Sequence, residues 1–106
     1  MAAGRKDKAL RVPPQTLEME RALLGALMMR PEGMVETTDI ISPEAFYAEK
    51  HRIIYRAMQA LYAKNEPIDI ESVRAKLSDE GHLEHVGGIS YLAELAGDVP
   101  AASNAR

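Results

Sequence analysis

Cysteine and tryptophan are absent from the 106 residues, and aromatic side chains make up only 5%, Phe46 and four tyrosines. The lack of cysteine excludes disulfides and cysteine-based metal or redox centres, and it fits a cytosolic chain. With so few aromatics, a core must be built from Leu, Ile, Val, Ala and Met, which suits packed helices better than a β-sandwich. No apolar run approaches the roughly 18 residues that span a membrane. The early basic residues Arg5, Lys6, Lys8 and Arg11 precede no apolar stretch of the kind found in a secretory signal. Also missing are the phosphate-cradling P-loop, the glycine-rich dinucleotide turn, the HExxH metal pair and the GxSxG nucleophile turn.

The length is that of one ordinary domain, with no room for a nucleotide-binding domain beside it. Net charge is -3, unevenly distributed. Of 13 basic and 16 acidic groups, the first twelve residues take four and one, leaving 9 and 15, a balance of about -6. A body this acidic repels phosphate, and tight nucleic-acid binding rests largely on Lys and Arg. Strong direct DNA binding by the folded part is therefore not expected. Residues 1–12 read as a disordered, solvated basic tail, with contact to single-stranded DNA as the alternative.

Pro13-Pro14 halts the chain ahead of the first helix. Thr16 is placed to cap that helix, with Glu18 and Glu20 in its first turn where the dipole favours acids. Leu17, Leu24 and Met28 share a face flanked by Leu23 and Leu27, and Gly25 within it implies close approach of a neighbouring helix. After Pro31, Glu32 to Thr38 makes a short second helix. Ser42-Pro43-Glu44 starts a brief turn carrying Ala45, Phe46 and Tyr47. The clearest periodicity runs from Glu49 to Lys64, where Ile53, Ala57 and Leu61 form one row and Ile54, Met58 and Tyr62 the next. Asn65-Glu66-Pro67 is a turn. Asp69 caps a helix bearing Ile70, Val73 and Leu77, which ends at Gly81. Gly87-Gly88 precedes a final helix, Ile89 to Ala96, with Ile89, Leu92, Ala93 and Ala96 as its apolar stripe. The one β-like stretch, Ile68 to Ile70, is too brief for a sheet. The pattern predicts an all-α, compact bundle of about five to six short helices. A helical head spans residues 13–100, and 101–106 reads as the start of a further linker or hairpin segment.

Chemistry is sparse. His82 and His85 could share a helix face as a metal pair, but they lie by Gly81 and Gly87-Gly88 in an expected loop and have no evident third ligand. His51 borders the apolar face of the long helix and reads as a half-buried histidine holding a hydrogen bond. Asp79-Glu80 is solvated charge at a helix end, and none of the serines belongs to a triad. Tyr91 lies off the stripe of its helix, so it is either an exposed anchor for a partner or part of the core. These residues describe an interaction module better than an enzyme. A metal-dependent hydrolase and an unrelated helical adaptor are the competing classes.

Val12-Pro13-Pro14-Gln15-Thr16-Leu17-Glu18-Met19-Glu20, Leu24-Gly25, Phe46-Tyr47, His51 and Glu66-Pro67-Ile68-Asp69 occur in a telling order. They lead to Gly81-His82-Leu83-Glu84-His85-Val86-Gly87-Gly88-Ile89-Ser90-Tyr91-Leu92-Ala93-Glu94-Leu95 and Val99-Pro100-Ala101-Ala102-Ser103-Asn104. This series resembles the N-terminal domain of bacterial DnaB-type replicative DNA helicases. Ala26, at a second-glycine position, Glu49 and Lys50, where a proline is common, and a permuted run at 101–104 are mild departures. The resemblance implies a non-catalytic head, followed in such helicases by a helical hairpin, a linker and an ATP-hydrolysing motor related to RecA. No cofactor is then expected on this chain, since ATP and Mg belong to the motor. The implied partners are the C-terminal domain of a DnaG-type primase, other helicase subunits in a hexamer built as a trimer of dimers, and in some bacteria a loader. The implied setting is the bacterial cytoplasm. Glu18 and Tyr91 match positions the family uses in communication with primase, with dipole stabilisation as the alternative role of Glu18.

Overall fold

The structure is a computed structural model that describes residues 13–97. The basic tail, residues 98–100 of the head and the segment expected to open a linker or hairpin lie outside the described residues. The chain forms α1 (Pro14–Met29), a 3-10 turn (Pro31–Gly33), α2 (Met34–Ile40), a second 3-10 turn (Pro43–Ala45), α3 (Glu49–Ala63), α4 (Ile70–Asp79), α5 (Leu83–Val86) and α6 (Gly88–Gly97). Among the described residues there is no strand, and the expected all-α class holds.

The start of α1 differs from the expectation. Pro14 opens the helix, Pro13 is its extended N-cap, and no side chain caps it. Proline's fixed φ is already helical and its missing N–H would have been unpaired, so a capping hydroxyl is not required there. Thr16 instead sits within the first turn, its N–H donating to the Pro13 carbonyl at 2.9 Å. Glu18 and Glu20 consequently fall beyond the first turn, which holds no acid. Their roles must lie elsewhere than in the helix dipole, which acts only within that turn.

The long amphipathic helix is present as read, with Ile54, Ala57, Met58 and Leu61 buried and Ile53 and Tyr62 packed at the edge. Its largest fully buried side chain, however, is Tyr55, which belongs to neither expected row. The Tyr55 hydroxyl donates to the Ile41 carbonyl at 2.8 Å and to that of Thr37 at 3.2 Å, tying the end of α2 onto α3. Burial raises the phenol's pKa, keeping it a neutral donor.

Asp69 caps α4 as expected, its Oδ1 accepting from the Ser72 N–H at 2.8 Å. At the far end Gly81, with φ of 76°, lets its own N–H reach the Ser78 carbonyl and the His82 N–H reach that of Leu77. These paired bonds satisfy the last carbonyls of the helix. Residues 83–86, expected as loop, form the single helical turn α5, anchored by fully buried Val86. A four-residue helix carries no readable period, and packing rather than propensity forms it.

In α6 the apolar face is rotated from the expected stripe. Leu92 and Leu95 are fully buried, whereas Ala93 and Ile89 are exposed, Ile89 at 44%. The four longer helices pack in a closed cycle, α1 on α6, α6 on α4, α4 on α3 and α3 on α1. Leu24, Ile54, Met58, Leu77, Leu92 and Leu95 fill its middle. Gly25 is buried on α1.

Candidate functional site

The buried polar chemistry of the described residues converges where α1, α3 and α6 meet. Glu20 on α1 and His51 on α3 are the buried polar or charged side chains of the core, and His51 is only 1% exposed. One Glu20 oxygen accepts from the Tyr47 N–H, and the other accepts from the Ala48 N–H at 3.3 Å. Those two amides lead into α3, whose N-cap, Ala48, has no side chain able to cap. Glu20 thus does for α3, from another helix, what the third residue of a capping box does within one. Arg52 holds the same loop as well, donating to the carbonyls of Phe46 at 2.9 Å and Tyr47 at 3.1 Å.

Glu20 Oε1 also lies 2.7 Å from His51 Nδ1, and His51 Nε2 lies 2.6 Å from the Tyr91 hydroxyl. Since both Glu20 oxygens already accept from backbone amides, Nδ1–H is the donor to Glu20. Neutral His51 then accepts at Nε2 from the Tyr91 O–H, so each bond has its own proton. Burial pushes the His51 imidazole below its ordinary value of 6.5. The Glu20 hydrogen bond and charge oppose that shift, while the charges of Lys50 and Arg21 reinforce it. Neutral imidazole is the form the surroundings favour.

Tyr91 is neither the free surface anchor nor the core residue of the two alternatives. It is half-buried: the hydroxyl is bound inward, the Lys50 ammonium lies 4.0 Å from the ring centroid, and the ring stacks on His51 with a 5.9 Å centroid separation. Its Cβ also occupies the space a side chain on Gly87 would need, 2.8 Å from where that Cβ would stand. Gly87 has φ of 113°, so this turn requires glycine for both its conformation and its clearance. Glu18 is exposed on α1 and is not part of the line from Tyr91 to Glu20. The two residues singled out in sequence therefore sit on neighbouring helices without forming one constellation.

The end of the line opens into an apolar groove of about 280 Å³, bordered by Met19, Leu23, Ile41, Phe46 and Glu20 itself. Met19, at 68% exposure, stands at its rim. Sequence reasoning did not single out Glu20 as a partner of His51, because the signal lies in residues 31 positions apart. Among the described residues no group of three or more His, Cys, Asp or Glu, around His82 and His85 or elsewhere, is placed to hold a metal. His85 instead faces Glu49 at 3.6 Å on the surface. No described helix is long and apolar enough to cross a membrane.

Residues 12–106 match the family described as DnaB-like helicase N-terminal domain. The chain is 44% identical over 94 residues to the replicative DNA helicase DnaB of Geobacillus stearothermophilus, covering 89% of this chain and 21% of that protein. It is 42% identical to the replicative DNA helicase DnaC of Bacillus subtilis over the same share of each. The chain therefore spans about a fifth of the length of these relatives. Among solved structures, the N-terminal domain of DnaB helicase from Mycobacterium tuberculosis superposes with a TM-score of 0.79 at 35% identity, covering 89% of this chain and 68% of that one.

Proposed function

The chain belongs to the DnaB-like helicase N-terminal domain family, and from that premise we propose that it is the non-catalytic docking and ring-assembly head of a replicative DNA helicase. It recruits the C-terminal domain of a DnaG-type primase and contributes to the pairing of subunits in a hexamer, with a loader as a further partner where one exists. ATP hydrolysis and unwinding, with their Mg, belong to a motor domain of the whole helicase, as does its place at the cytoplasmic replication fork. The observation that carries this reading is Tyr91. A half-exposed aromatic held by a histidine, a lysine and a glycine turn has its rotamer set in advance, so a partner pays little ordering entropy on meeting it. Acidic Glu18, standing in solvent on the adjoining helix, adds a charge that can choose between partners without supporting the fold.

A calorimetric titration with the cognate primase C-terminal domain tests the reading. Saturable binding is expected, weakened about tenfold or more by Tyr91→Ala, the range of a modest interface anchor. Glu18→Ala should alter binding while leaving the melting temperature unchanged. A folded chain that gives no heat and no co-elution, both alone and when extended through the following hairpin, would refute the docking role.

A further inference from the structure

We propose that His51 is the positioning residue of the Tyr91 surface, fixing through the Tyr91 hydroxyl how α6 sits on α1 and α3 and hence what a docked partner meets. The consequence for docking rests on the function proposed above; the positioning itself does not. Three helices and one loop share the line. Tyr91 comes from α6, His51 from α3, Glu20 from α1, and the amides of Tyr47 and Ala48 from the loop that opens α3. An apolar side chain of similar size at position 51 could fill the same volume, and buried polar groups seldom add more net stability than such packing. A hydrogen-bonded line does something packing does not: it admits one rotation of α6, the one that brings the phenol to 2.6 Å from Nε2. Apolar contacts such as Leu92 and Leu95 tolerate small rotations at little cost. The line also ends in the groove bordered by Met19 and Phe46, so whatever moves Glu20 there is felt at Tyr91.

The arrangement counts protons. With His51 neutral, two protons serve two bonds. A third proton, on Nε2, meets the phenol proton in the same short gap and forces it to turn away. The groups facing His51 are Glu20 and Arg21 from α1, Lys50 from α3, Tyr91 from α6 and the edge of the Phe46 ring. When α6 opens, water reaches the imidazole and its pKa rises, with Glu20 still bonded to Nδ1; when α6 is closed, burial holds it lower. The open state thus binds more protons below neutrality, and acidification favours opening; above the ordinary value the effect vanishes.

Amide hydrogen exchange on the 106-residue chain at pH 7.5 and 5.5, corrected for intrinsic rates, reads this directly. Opening of α6 should increase severalfold between the two pH values, within the limit of about tenfold per pH unit that uptake of one proton allows. α4, which supplies no group to the hydrogen-bonded line, should change less. His51→Gln keeps a donor and an acceptor but does not titrate, so it should hold α6 closed and remove the pH response. Tyr91→Phe keeps the ring and should open α6 roughly five- to tenfold at pH 7.5, the worth of one hydrogen bond. Parallel loss of protection in α4 and α6, a pH response that survives in His51→Gln, or no effect of Tyr91→Phe would overturn the proposal. If the exchange pattern appears but primase does not bind, His51 still positions Tyr91 and only the docking reading falls.

Discussion

Replacing Glu20 with alanine removes the acceptor for three N–H groups at once: the amides of Tyr47 and Ala48 and the Nδ1–H of His51. The imidazole lies deep in the core, so its orphaned N–H carries a desolvation penalty of about 1–3 kcal/mol. The two amides lie nearer the surface, where water can return, and contribute roughly 0.5–1 kcal/mol each. Together these give about 3 kcal/mol, a large part of the roughly 5–15 kcal/mol typical of a whole domain. For a domain of this size that corresponds to a fall in Tm of about 12–24 °C. Glu20→Gln, which keeps one acceptor oxygen but turns an NH2 toward the other donor, should lose about half as much. Glu18→Ala, two residues away and exposed, is the control and should stay within roughly 0.5 kcal/mol of the parent. Thermal unfolding followed by circular dichroism at pH 7.5 compares the three. If Glu20 served merely the dipole of its own helix, its removal would cost only about 0.3–1 kcal/mol. A Glu20→Ala melting point within about 5 °C of that of Glu18→Ala would therefore refute the cross-helix cap.

Two further substitutions probe turns that position the site. Gly87→Ala meets both a φ of 113° and the Tyr91 Cβ at 2.8 Å, whereas Gly81→Ala meets a φ of 76° with nothing within 4 Å. Thermal melts should show the first losing about 2–3 kcal/mol and the second about 1 kcal/mol, and equal losses would mean that Tyr91 does not crowd the turn. Asp69→Ala deletes the cap on Ser72 and should lower the urea midpoint by the equivalent of about 1 kcal/mol, with Asp69→Asn near the parent. An unchanged midpoint in the alanine variant would show that the cap contributes nothing.

The elements legible in the chain were those whose signals are local. The α3 period, the Asp69 cap, the Gly81 terminus and the punctuation by Pro31, Pro67 and the double glycine each depend on neighbours within about four residues. Where a local signal allows two answers, tertiary packing decides between them. The stretch from Ile89 to Ala96 has apolar residues at 89, 92, 93, 95 and 96, enough for more than one helical face. Its true face became visible only when α1 and α4 took Leu92 and Leu95. Thr16 has a residue type that favours capping, but Pro14 already starts the helix.

From the order of residues alone came the helical class, the absence of cysteine and of the common nucleotide-binding motifs, and a family resemblance that the comparisons establish. Glu18 stood out there through that resemblance, and Tyr91 through the resemblance and through its place off the apolar stripe of its helix. Tertiary structure decided that Glu20, not Glu18, is the buried carboxylate, that His51 bonds on both sides, and that Tyr91 is held inward by its hydroxyl. These contacts join residues 27 to 40 positions apart. Periodicity assigns a side chain to a face of its own helix, but a hydrogen bond requires atoms of two helices to meet at about 2.7 Å. That meeting is set by how the helices cross, which no window of sequence contains.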